Sequence, residues 1–208
     1  MNRKPAIVIF SVVVGLTSHA FAQGGYARPG AGTGGSREPL EAPASSVPLP
    51  PDPEANAEDL RLNGKCEQAI PIFRRLAERN GFEIAQLGLG LCLLELSQIE
   101  PDAQRVASLQ RDAAQSIVRA ANGGLAKAQI RLVSLYLDGT GVASDPIEAG
   151  KWALLYHSNG ERFVIGLPDV PHDLQNRLDN VLTATSWAQA QARASAWSPA
   201  TRDWDAAR

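Results

Sequence analysis

The stretch from residue 120 to 152 constrains the fold more than any other part of this 208-residue chain. Ala128 and Leu132 are four positions apart in an apolar stripe of helical period, so they share one face of a helix. Gly139 supplies a backbone conformation with positive φ, which ends that helix. Asp145 is then placed to cap a second helix. The stretch therefore predicts an αα-hairpin, two helices joined by a tight turn.

The pattern of this hairpin occurs twice in the chain. The sequence Ala-Gln-x-x-Leu begins at Ala85 and again at Ala128. Self-similarity of this kind is typical of a solenoid of stacked helix pairs. The first copy lacks the glycine-bearing turn of the second and carries an insertion around Pro101. The repetition predicts an all-α solenoid with one lengthened connection.

The second copy resembles the Sel-one-like repeat (SLR), a relative of the tetratricopeptide repeat. The residues that carry the resemblance are Ala120, Gly123, Ala126, Ala128, Gln129, Leu132, Tyr136, Gly139, Gly141, Val142, Asp145, Ala149 and Trp152. The chain departs from the family pattern at Val133, where Gly is usual, and at Gly150, where a larger apolar residue is preferred. The resemblance implies a right-handed αα-solenoid and points to an exported bacterial member.

Apolar periodicity along the whole chain predicts about three helix pairs and a C-terminal capping pair. The predicted helices are 54–62, 65–79, 82–98, 101–121, 125–138, 146–158, 172–182 and 184–197. Residues 159–171 are predicted to be irregular because glycine and proline punctuate them. The repeat domain is thus expected to cover residues 54–198, followed by a frayed tail over 199–208.

The first 22 residues have the organisation of a secretory signal peptide. Arg3 and Lys4 precede an apolar run over 6–17 that is too short to span a bilayer. The run ends near Ala20-Phe21-Ala22, a small-residue cleavage site. Cleavage after Ala22 predicts export to the bacterial periplasm or secretion. An uncleaved anchor is the alternative.

A tether is predicted between this peptide and the repeat domain. Of the 31 residues in 23–53, 13 are Gly or Pro, so the segment buries too little surface to order itself.

Loss of the signal peptide leaves 18 basic and 22 acidic residues, a net charge of −4. Because no basic stripe accompanies this charge, nucleic acid is not an expected partner.

Cys66 and Cys92 remain in an oxidising compartment after export. An even number of cysteines there favours a disulfide over a metal site, which needs more ligands. In an antiparallel hairpin that turns at 80–82, the two residues lie within about one helical turn of the same level. Two buried free thiols are the alternative.

The chain shows no motif for catalysis, a cofactor or a metal ion. His157 and His172 stand apart from other metal-ligating residues, which is typical of surface histidines. Asp169 and Asp173 fit the acidic start of a helix, where the macrodipole favours negative charge. The Gly139-Thr140-Gly141 sequence follows a helix rather than a strand, so a turn explains it better than a nucleotide site.

Stacked helix pairs form an extended groove lined by the first helix of each pair. The predicted groove positions are Leu87, Leu91, Leu94, Lys127, Ile130, Ser134 and Leu137. This row is apolar enough to bind a peptide, although terminal helices or turns covering it would explain it equally well.

The resemblance implies a non-catalytic periplasmic adaptor or regulator that binds a protein or peptide in the cell envelope. One alternative is an envelope enzyme acting on peptidoglycan or β-lactam-like compounds, an activity linked to certain cysteine-rich relatives. This chain lacks their repeated paired cysteines. The other alternative is a structural spacer.

Overall fold

The structure, a computed structural model, describes residues 52–200 and shows nine helices and no strand within them. The helices are α1 (Pro53–Leu62), α2 (Cys66–Ala77), α3 (Glu83–Ile99), α4 (Ala103–Asn122), α5 (Ala126–Asp138), α6 (Pro146–Ser158), α7 (Gly160–Val164), α8 (His172–Val181) and α9 (Ala184–Ser195). The all-α prediction is confirmed. The predicted signal peptide, nearly all of the predicted tether and residues 201–208 lie outside the described residues.

Consecutive helices pack in antiparallel pairs, as a solenoid requires. The pairs α1–α2, α3–α4 and α5–α6 stack in chain order, and α8 and α9 pack on α6 at the C-terminal end. One continuous apolar core runs from Ala57 through Phe73 and Trp152 to Leu178. About three pairs and two capping helices are therefore present, as the periodicity predicts, and each capping helix packs on α6.

Side-chain caps set several helix starts. The Asp145 carboxylate accepts hydrogen bonds from the amides of Ile147 (3.0 Å) and Glu148 (3.1 Å), as predicted. Asp102 caps α4 in the same way, so that helix begins at Ala103 rather than at the predicted Pro101. Local capping chemistry thus accounts for where α4 and α6 begin. None of the helices between residues 52 and 200 has the length and apolar character needed to cross a membrane.

Two glycines allow neighbouring helices to approach closely. A Cβ added to Gly90 would lie 2.5 Å from Ile117 Cγ1, and one added to Gly150 would lie 2.9 Å from Leu182 Cδ1. Gly150 also faces Ala190 of α9. The departure from the family pattern at this position therefore lies where the capping helices pack. The other departure, Val133, is fully buried in α5.

The predicted disulfide is present between Cys66 and Cys92. It joins the first residue of α2 to the third turn of α3, with the two Cα atoms 5.1 Å apart. Both residues are buried. The bond therefore fixes the first helix pair to the second.

The prediction that 159–171 is irregular throughout is wrong, because α7 forms inside it. Asn159 caps α7 by accepting a hydrogen bond from the Glu161 amide (2.9 Å). The Glu161 carboxylate accepts one from the Ala126 amide at the start of α5 (2.6 Å). Buried Arg162 donates to the His157 carbonyl (2.9 Å). A local cap together with the long-range hydrogen bond from Ala126 to Glu161 thus holds a helix that the glycines and prolines of the segment argue against.

Candidate functional site

Two adjoining cavities open along α3 and α5, and we call the surface that they form the α3/α5 groove. Their volumes are about 370 and 250 Å³. Leu87, Leu91 and Lys127 line both cavities. The full lining is Glu58, Arg61, Ile84, Leu87, Gly88, Leu91, Leu125, Lys127, Ile130, Arg131, Ser134, Glu161, Ile165 and Leu174. The first helix of each of the three pairs therefore contributes to the groove.

The structure brings five of the seven predicted groove residues to this surface. They are Leu87, Leu91, Lys127, Ile130 and Ser134. Leu94 lies in the core with 5% of its surface exposed, and half-buried Leu137 packs against that core. Neither of these two lines the cavities.

Neighbouring segments border the groove without filling it. Ile165, just after α7, lines one cavity, and Leu174 of α8 lines the other. Ile84 and Ile165 are 51% and 48% exposed, and the adjacent Phe163 and Val164 are exposed further. A set of large apolar side chains in contact with water around an open cavity is typical of an interaction surface.

An ion pair stands on the α1 side of the groove. Arg61 Nε donates to Glu58 Oε2 at 2.8 Å. This hydrogen bond is the main reason that the pKa of Glu58 lies below its ordinary value. Burial of the carboxylate acts in the opposite direction and is outweighed. The positive charges of Arg61 and Lys127 lower that pKa further. Glu58 is therefore ionised and already paired at neutral pH.

Two cations on α5 have no such partner. None of the ion pairs within residues 52–200 includes Lys127 or Arg131. Arg131 Nε is buried and has no hydrogen-bond acceptor there. The α5 side of the groove thus carries two positive charges that no ion pair between residues 52 and 200 neutralises.

A second cleft, of about 550 Å³, lies between α6, α8 and the 168–171 segment, with Trp187 of α9 in its lining. His157 Nδ1 is 2.9 Å from Asp169 Oδ1, and this hydrogen bond is the main reason that the pKa of Asp169 is lowered. His172 also lines the cleft, and both histidines are exposed. The lining of this cleft contains no Ser, Thr, Cys or Lys side chain. The pairing of Asp169 with His157 is a contact that the sequence did not predict.

No group of three or more His, Cys, Asp or Glu side chains in residues 52–200 is arranged to hold a metal ion.

Comparison with known proteins finds a solved structure with a similar helical architecture. No family model matches the chain, and no curated protein matches it significantly. A crystal structure of a protective antigen present in uropathogenic Escherichia coli strains, which displays an SLR fold, matches with a TM-score of 0.53 and 25% sequence identity. The chain has an SLR-like helical repeat fold. The match covers 69% of this chain and 29% of the antigen, so the chain spans less than a third of that protein's length. SLR-like solenoids suggest protein-interaction modules, because stacked pairs expose an extended surface.

The residues of the repeat motif build the SLR-like hairpin. Ala128, Leu132, Ala149 and Trp152 are buried, while Tyr136 and Val142 pack against the core from its edge. Asp145 caps α6, and Gly139 and Gly141 adopt positive φ in the turn.

The sequence did not predict several of the residues that line the α3/α5 groove. Ile84 precedes Leu87 by three positions, so helical spacing could have identified it. Arg131 follows Lys127 by four positions and could have been found in the same way. Ile165 and Leu174 reach the groove from distant parts of the chain, and no local signal places them there.

Proposed function

We propose that the chain is a non-catalytic adaptor or regulator of the bacterial cell envelope, which binds a protein or peptide segment through the α3/α5 groove. The observation that carries the proposal is the pair of open cavities lined by Leu87, Leu91 and Ile130. Leucine and isoleucine side chains at helical spacing form the kind of surface that receives the apolar anchors of a partner segment.

Further features support a binding role in the envelope. The Cys66–Cys92 disulfide fits an oxidising compartment. The predicted signal peptide would deliver the chain there, and the predicted tether would give the repeat domain reach toward a partner. The SLR-like fold supports interaction rather than catalysis.

Site-specific photo-crosslinking in intact cells tests the proposal. A photoreactive amino acid at Leu91 is expected to form an adduct with one discrete envelope protein. The same amino acid at Gln115, an exposed position on α4, serves as the control. Adducts of equal yield from both positions would contradict binding in the groove.

Substitution of the apolar groove residues Leu91 and Ile130 gives a second test of the proposal by the same crosslinking measurement. We expect Leu91→Asp with Ile130→Asp to abolish the adduct formed from a photoreactive residue at Ser134, because a bound apolar anchor would bury the new carboxylates without a partner. Ile99→Asp changes a residue of α3 that is 76% exposed and outside the groove, so it should leave the adduct intact. Circular dichroism confirms that the variants fold. An undiminished adduct in the folded double variant would place the binding surface elsewhere.

A further inference from the structure

Lys127 and Arg131 lie one helical turn apart on α5, so they occupy the same side of the helix. Both line the cavity that Leu87, Leu91, Ile130 and Leu174 also line. The groove therefore places two cations directly beside an apolar floor.

Neither cation forms an ion pair within the part of the chain that the structure describes, although the charge of Lys127 acts on Glu58 from a greater distance. Arg131 Nε is a buried donor without an acceptor, which is energetically costly in a folded protein. Lys127 Nζ likewise is in none of the ion pairs among residues 52–200. An incoming carboxylate would give both groups the acceptor that they lack.

The carboxylates bordering the groove are engaged elsewhere. Glu58 accepts a hydrogen bond from Arg61, and Glu161 accepts one from the Ala126 amide. The lining thus has three cations and two carboxylates, although the whole chain has a net charge of −2. The local charge is opposite in sign to that of the molecule, which favours a negatively charged occupant.

We infer that the groove recognises an acidic, apolar segment of another protein, with apolar anchors on Leu87, Leu91 and Ile130 and a carboxylate held by Lys127 and Arg131. The inference rests on the proposed function and defines the chemistry of the partner. The cations supply selectivity, because an apolar segment without a carboxylate leaves the Arg131 donor buried and unpaired.

Three synthetic peptides test this chemistry. Each has two leucines four positions apart on an alanine-based helical background, with Glu, Gln or Lys at the two positions beside the leucines. Fluorescence anisotropy measures their binding to the exported chain. We expect the Glu peptide to bind about tenfold more tightly than the Gln peptide at low salt, and the difference to shrink as salt rises.

Charge reversal provides the matched control. Lys127→Glu with Arg131→Glu should make the Lys peptide the tightest of the three. Arg111→Glu, at an exposed position of α4 outside the groove, should leave the order unchanged. Circular dichroism checks that each variant folds.

The possible outcomes separate this inference from the proposed function. Equal affinity for the Glu and Gln peptides, both lost in the Leu91→Asp variant, would overturn the acidic preference and leave a purely apolar groove. Absence of binding by all three peptides would also overturn it, while the crosslinking experiment tests the groove itself. If Glu38→Lys with Glu41→Lys in the full chain strengthens binding of the Glu peptide, the chain's own acidic segment occupies the groove, and assignment to another protein is overturned.

Discussion

Gly141 lies where the turn after α5 meets the backbone of α4. Its φ is +71°, and a Cβ added there would be 2.0 Å from the Gln110 carbonyl oxygen. Backbone cannot move aside as a flexible side chain can. Two independent requirements, the left-handed conformation and the close approach, therefore fall on one residue. Gly166 has nearly the same φ, +68°, but no heavy atom within 4 Å of an added Cβ.

This pair of glycines allows the two requirements to be measured separately. Gly166→Ala should reduce the free energy of unfolding by about 1–2 kcal/mol, the cost of the left-handed conformation for a residue with a Cβ. Gly141→Ala adds displacement of the α4 backbone and should cost about 1–3 kcal/mol more. Urea unfolding followed by circular dichroism measures both variants. Equal losses would mean that the turn does not pack against α4 as described.

At the scale of helices, Asp145 links α6 to the capping helix α9. It caps α6, and its Oδ2 accepts a hydrogen bond from Arg193 Nη1 at 2.9 Å. Glu148 Oε2 accepts from the same nitrogen at 3.0 Å. Burial raises the pKa of Asp145, but the hydrogen bonds from Arg193 and the backbone amides outweigh it, so the pKa is lowered.

The lowered pKa predicts how this link depends on pH. Since the folded-state pKa of Asp145 lies below the unfolded value, its contribution to stability is present above the unfolded value, near pH 4, and is lost as pH falls through the folded value. Arg193→Gln should therefore lower the melting temperature at pH 7, and the difference from the native chain should shrink below pH 4. Arg74→Gln, which removes an exposed cation of α2 that forms no ion pair within residues 52–200, is the control for general charge effects. A difference that stays constant from pH 7 to pH 3 would contradict the role of Asp145.

The helices differ in how far sequence alone could place them. The α5–α6 hairpin was predictable because its apolar stripe, turn glycines and Asp145 cap all act within a few residues. By contrast, α7 depends on the bond from the Ala126 amide to Glu161 and on the burial of Arg162. The local sequence pattern shows neither this hydrogen bond nor this burial, so the segment was predicted to be irregular.

At the scale of the whole molecule, the groove was predictable in part for the same reason. Positions on one helix follow from helical spacing, which identified Leu87, Leu91 and Ile130. The packing of α7 and α8 beside α5 is set by long-range contacts, so spacing could not show which segments border the groove. Spacing also could not distinguish Leu94, which is buried, from Leu91, which lines both cavities.

The disulfide acts on the whole solenoid, because the apolar core continues unbroken from α1 to α8. It closes a loop with a sequence separation of 26 residues. On the chain-entropy model, constraining a loop of this size in the unfolded state stabilises the fold by about 3–4 kcal/mol. Cys66→Ala with Cys92→Ala should remove this contribution, and urea unfolding under oxidising conditions measures the loss. The native chain treated with a reductant is the matched control, and it should fall to nearly the stability of the variant, whereas the reductant should not affect the variant. A variant as stable as the oxidised native chain would show that α2 and α3 are held together by packing alone.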